Sequence, residues 1–232
     1  ITDSSRRHGV TLSSVQAVPE NAGTDPALDA MFGDYLKQTR EFSNRAIGRV
    51  QMPDTGTTTG DRLNSPAGLL MASAMRRSTG ADLALLSINT GIHLNGRVTE
   101  YDLFKAMPYE NTVAVIEVTA AELRDILDEQ LAGSRGYYTA VFQGLKVKYR
   151  KKKVTGIYDE KMRPIPDIAT FKLAVANYLL ISNRFPALQK VASKHKLESR
   201  SGDPLMRDCI RDYIRLNSPV NPPAEQWMIA EK

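Results

Sequence analysis

Gly60-Asp-Arg62-Leu-Asn-Ser-Pro-Ala-Gly-Leu-Leu70, Ala81-Asp-Leu-Ala-Leu-Leu-Ser-Ile-Asn-Thr-Gly91-Ile-His93 and Tyr101-Asp-Leu-Phe-Lys-Ala-Met-Pro108-Tyr109-Glu-Asn111-Thr-Val-Ala-Val-Ile-Glu-Val118 follow one another within 60 to 118. Ser65-Pro66 is a capping residue followed by proline, which opens a helix through about Ser78. Leu83 to Ile88 is a nearly continuous apolar run of strand length, the mark of a strand covered on both faces. Asn89 to Gly96 is a loop. Thr99-Glu-Tyr-Asp102 starts a short helix that stops before Pro108, and Thr112 to Val118 is a β-branched strand.

Outward from this stretch, Thr119-Ala-Ala-Glu122 matches a capping box ahead of Leu123, Ile126, Leu127 and Leu131 on one helix face. Residues 137 to 159 read as a hairpin in which Leu145, Val147 and Tyr149 alternate with lysines. Phe171 to Val175 is a further strand. Phe185-Pro186 and Pro204 open two more helices. Upstream, Thr24-Asp25-Pro26 opens a long helix with Leu28, Met31, Phe32, Tyr35, Leu36 and Phe42 at helical spacing. The expected organisation is a lead-in at 1–24, a linker helix and short strand at 25–52, a main domain at 53–216 and an extended tail at 217–232. Pro53 to Gly60 is the hinge candidate.

The 232 residues carry 31 Lys and Arg against 26 Asp and Glu, a net charge of +5. Part of that excess is the run Lys146 to Lys153, expected to be a solvated strand end and turn that blunts edge pairing. An anionic polymer is the alternative ligand for it. The single cysteine, Cys209, excludes an internal disulfide and reads as a small buried hydrophobe. No apolar run approaches the roughly 20 residues of a membrane span. The chain starts at Ile1, which points to a processed protein or an excised fragment.

His8, His93 and His195 lie far apart, and none stands in a paired metal-ligand motif. No nucleophile elbow or phosphate loop is present. The residues alone therefore identify no catalytic or metal-binding set.

The order of the motifs resembles the C-terminal, substrate-recognising domain of the 5'-nucleotidase family. That family has Arg-x-x-Glu-Ser-x-Leu-Gly-Asn-Leu, which Arg62 and its successors fit. Its apolar strand runs into Asn-Gly-Gly-Gly-Ile-Arg, where this chain has Ile88-Asn89-Thr90-Gly91-Ile92-His93. Its Gly-x-Ile/Val-Thr and Pro-Phe-x-Asn are matched by Gly96-Arg97-Val98-Thr99 and Pro108-Tyr109-Glu110-Asn111. Gln143-Gly144-Leu145 loosely matches Gln-x-Ser-Gly-Leu. Tyr178-Leu-Leu-Ile-Ser-Asn-Arg184-Phe185 partly matches a segment that carries Gly-Gly-Asp-Gly before its ring.

The resemblance implies an α+β fold: a mixed β-sheet with flanking helices, preceded by the long linker helix. It implies that Tyr109 and Phe185 clamp a base, that Asn111 reads its edge, and that Arg62 and His93 face the ribose or phosphate. The implied ligand is a nucleoside or nucleotide, in a hydrolase family of nucleotide catabolism. Two divalent metals are expected only in a separate metallophosphatase domain, in cis or in trans, so this chain is not expected to be catalytic alone. The family implies a periplasmic or extracellular setting. Nucleic acid is not an expected partner. Where this sequence leaves the pattern, at 88–90, 93 and 181–184, a degenerate scaffold that recognises another ligand or a protein is the competing reading.

Overall fold

The computed structural model describes residues 2–4, 7–9, 19, 23–53, 62–89, 94–133, 138–181, 185–194 and 202–232. Within them the chain divides into two compact units, Ile1–Phe42 and Ser43–Lys232. The proposed hinge at 53–60 falls almost wholly outside the described residues.

In the first unit, strands β1 (Thr2–Ser4) and β2 (Arg7–Gly9) pair antiparallel, Thr2 opposite Gly9. Helix α1 (Pro26–Ser43) begins as the sequence predicts: the Ala27 N–H donates to Asp25 Oδ1 at 2.8 Å, and proline occupies the first turn. None of its residues is buried.

The second unit opens with β3 (Ala46–Val50), then a 3-10 turn (Arg62–Asn64) leads into α2 (Pro66–Thr79). Ser65 caps α2, and Gly80 closes it in the left-handed conformation at φ 66°, which costs glycine little. Next come β4 (Leu83–Asn89), β5 (Gly96–Thr99), α3 (Glu100–Ala106), β6 (Val113–Thr119) and α4 (Ala120–Gly133). Strands β7 (Tyr138–Gln143), β8 (Lys146–Arg150), β9 (Lys153–Tyr158) and β10 (Thr170–Ala176) follow. Helices α5 (Asn177–Ile181), α6 (Pro186–Ala192) and α7 (Met206–Asn217) and strand β11 (Met228–Ala230) complete it.

The main sheet has the order β6-β10-β4-β7, with β10 parallel to β4 and the other pairs antiparallel. Leu83, Ala84, Leu85 and Leu86 are all buried, so the interior strand β4 is covered on both faces, as its unbroken apolar run requires. Edge strand β6 instead alternates, with Ile116 and Val118 inward and Val115 and Glu117 outward. Helix α2 packs across β4, β7 and β10, and α4 packs on β6, β7, β9 and α6. The predicted capping box forms between Thr119 and Glu122 (Thr119 N–H to Glu122 Oε2, 2.9 Å), and the helix start read at Thr99 forms a second one with Asp102. The fold is the mixed α+β arrangement expected.

Two smaller sheets flank it. β3 pairs antiparallel with β5, and α7 lies close over β3: a Cβ on Gly48 would stand 2.8 Å from Ile214 Cγ2. The other sheet has the order β11-β8-β9, with β11 parallel to β8. The lysine-bearing strand β8 is thus interior, contrary to the expectation that its charges guard an edge. Two of its lysines meet acids instead: Lys146 Nζ lies 2.6 Å from Glu225 and Lys148 Nζ 3.9 Å from Glu231. Lys153, at the start of β9, has its Nζ 3.0 Å from Asp128. The tail buries Val220, Trp227 and Met228. Cys209 is buried, and burial pushes its thiol pKa up.

Candidate functional site

Register decides which loops share one end of the main sheet. β4 and β10 run parallel, so both finish there, while β6 and β7 begin there: Val113 lies opposite Ala176, and Tyr138 opposite Asn89. Three segments that the sequence reading singled out are therefore attached to one edge. They are the residues that follow Asn89, the 107–112 segment before β6, and the α5–α6 segment after β10. In open sheets the crevice beyond strand ends is a common ligand position.

Tyr109 stands on the 107–112 segment with 72% of its surface exposed, and Asn111 is half-buried. Backbone bonds strap this segment on two sides. On one, Met206 N–H donates to Asn111 O (2.8 Å) and Val113 N–H to Pro204 O (2.9 Å). On the other, Asn177 N–H donates to Thr112 O (3.0 Å), and Thr112 N–H to Asn177 Oδ1 (3.3 Å). Arg207 adds a bond from Nη1 to Met107 O at 3.2 Å, with its guanidinium 5.4 Å from the Phe104 ring centre. The exposed Tyr109 ring thus rides on a held backbone.

Phe185 is half-buried, packs on the core, and occupies the N-cap position of α6. The preceding helix α5 is tied to the end of β4 by the Tyr178 hydroxyl, which donates to Ser87 O at 2.9 Å. Helix α6 is fastened to α4 by Ala187 N–H, which donates to Glu129 Oε1 at 3.1 Å. Burial holds the Glu129 carboxyl above the usual range, against the pull of the Ala187 and Leu188 amides. The backbone of Arg62 lies in the 3-10 turn ahead of α2, which packs on β7. His93 lies outside the described residues.

Sequence reasoning missed Asn177, Tyr178, Glu129 and Arg207. An Asn directly after a strand, at the start of a helix, was a local signal for Asn177; the other three act through partners distant in sequence.

Residues 46–190 match the family described as 5'-nucleotidase, C-terminal domain. The chain belongs to this family. Endonuclease YhcR of Bacillus subtilis (strain 168) is 27% identical over 164 residues, which is 67% of this chain and 13% of that protein. Solved structures share the fold of the 5'-nucleotidase C-terminal domain. The 5'-nucleotidase precursor of Thermus thermophilus aligns over 88% of this chain and 43% of its own, at 18% identity and a TM-score of 0.66. A putative 5'-nucleotidase of Staphylococcus aureus aligns over 93% and 46%, at 14% identity and a TM-score of 0.69. The NAD nucleotidase of Haemophilus influenzae aligns over 90% and 42%, at 14% identity and a TM-score of 0.64. The chain thus spans under half the length of these structures and about an eighth of the curated relative.

Among the described residues, no three His, Cys, Asp or Glu side chains are grouped to hold an ion. Among the described residues, no helix is long and apolar enough to cross a membrane.

Proposed function

We propose that this 5'-nucleotidase C-terminal domain recognises a nucleoside or nucleotide at the edge formed by the ends of β4 and β10. In this reading Tyr109 and Phe185 stack on the base, Asn111 reads its edge, and Arg62 and His93 serve the ribose or phosphate. The observation that carries the reading is convergence: register attaches the 107–112, α5–α6 and post-β4 segments to one sheet end. Rings suit this task because every base presents a π face. Cleavage belongs to a metallophosphatase domain in cis or in trans, which supplies both metals. A periplasmic or extracellular setting goes with that assignment.

Calorimetry with adenosine and AMP tests it. Micromolar binding is expected, and Tyr109→Ala and Phe185→Ala should each cost about 1 to 3 kcal/mol. A folded sample that binds neither ligand overturns it. Silence would favour a scaffold that kept the fold, a reading supported by Ile88-Asn89-Thr90 and His93 where the family carries Asn-Gly-Gly and Arg.

A further inference from the structure

Phe185 stands where a helix needs an acceptor, and its ring cannot be one: no side-chain capping bond forms at this position. Pro186 follows without an N–H, so the first donors in want of partners belong to Ala187 and Leu188. Glu129, 58 residues from Ala187 and on another helix, takes them. Ala187 N–H donates to Oε1 at 3.1 Å, and the Leu188 amide adds its pull on the carboxylate. Among the described residues, its other oxygen, Oε2, is buried without a hydrogen-bond partner. A half-satisfied buried carboxylate is destabilising by itself, so this one is placed at a cost to the fold. What it holds is the start of α6, and α4 is a firm base from which to hold it. Leu123, Ile126, Leu127 and Leu131 of α4 are buried, and Thr119 and Glu122 cap its first turn.

We infer that Glu129 is the positioning residue for the Phe185 ring, substituting from α4 for the cap that phenylalanine cannot provide. The inference rests on the ring-clamp reading above. The segment before α6 joins a sheet end, and the direction of α6 sets where residue 185 leaves the chain. Fixing the first amides of α6 to α4 therefore fixes the backbone from which the ring projects. The charge matters as well as the reach, because an ionised acceptor makes the stronger bond to these amides and complements the positive end of the helix.

The test uses the full chain, amide hydrogen exchange, and calorimetry with two probes, adenosine and ribose 5-phosphate, which lacks a base. In Glu129→Ala the amides of Ala187 and Leu188 should exchange about fivefold faster or more, the usual scale of a lost cap. Adenosine affinity should fall by a similar factor while ribose 5-phosphate affinity holds. Glu129→Gln, which keeps an acceptor oxygen but loses the charge, should recover only part of both. If the alanine variant does not fold, Glu129→Asp takes its place: it keeps the charge, withdraws the reach, and should give the same selective loss. A folded variant with unchanged exchange overturns the inference. Equal losses for both probes also overturn it, because they mark general loosening. Wild-type silence toward adenosine defeats the clamp reading and the ring's role with it, and the exchange rates then decide separately whether Glu129 holds α6.

Discussion

Helices α1 and α7 look alike as sequences and differ as structures. Both place apolar residues every three or four positions. In α7 that stripe is interior: Met206, Cys209, Ile210 and Ile214 are buried. In α1 Leu28, Met31 and Tyr35 remain 52%, 65% and 69% exposed. Spacing therefore identifies the helix and its apolar face but not whether that face has a partner. Burial of α7 is visible in its receiving surface. Gly48 removes the Cβ that would collide with Ile214, and Glu100 at 4% exposure accepts from Arg211 at 2.9 and 3.1 Å.

The contrast yields a graded series. Arg211→Ala combined with Arg215→Ala removes both cations that meet the buried Glu100 carboxylate and should destabilise the second unit by about 3 to 5 kcal/mol in urea unfolding. Ile214→Ala opens a cavity and should cost about 2 to 5 kcal/mol in the same assay. Gly48→Ala forces α7 away from β3 and should lower the urea midpoint by an amount equivalent to about 1 to 3 kcal/mol. Thr119→Ala removes the α4 cap, and a calorimetric scan should show a loss of about 1 kcal/mol.

An acid limb comes next. Lys194 and the Thr119 amide hold the Glu122 carboxyl below its ordinary value of 4.5. A depressed folded pKa stabilises above the unfolded value, and that contribution fades as pH falls through the lower folded pKa. Stability should therefore drop below about pH 4.5 on these grounds, and Lys194→Ala should shallow that drop. Smallest of all, Tyr35→Ala should stay within about 0.5 kcal/mol of wild type. A Tyr35 cost near that of Ile214 would show that the α1 stripe is covered, and the contrast would fail.

Local signals carried most of the fold. The apolar run of β4, the Thr119-Glu122 capping box and the helix starts at Thr99 and Ser65-Pro66 are written in adjacent residues, and each formed within a residue or two of its expected place. What could not be read locally was pairing between distant segments. Strand β11 has three residues behind a proline-rich stretch, and nothing in them specifies β8 as neighbour. Without that neighbour the lysines of β8 looked like edge guards rather than partners of Glu225 and Glu231. At the candidate site, Tyr109, Asn111 and Phe185 were singled out by family resemblance. Composition gives an aromatic beside a turn no special standing. The side chains that hold their backbones in place, Asn177, Tyr178 and Glu129, bond across 65, 91 and 58 positions, beyond any periodicity.

The sole tryptophan of this sequence sits on the seam between β11 and the turn ahead of α2. The backbone N–H of Trp227 donates to Asn64 Oδ1 at 2.8 Å, and Lys146 Nζ lies 4.6 Å from its ring centre. Intrinsic emission is thereby an optical gauge of that seam, whose turn also carries Arg62. Emission and circular dichroism traces of denaturation will superimpose if the two sheets melt as one cooperative body. They will separate if the β11 seam peels away first.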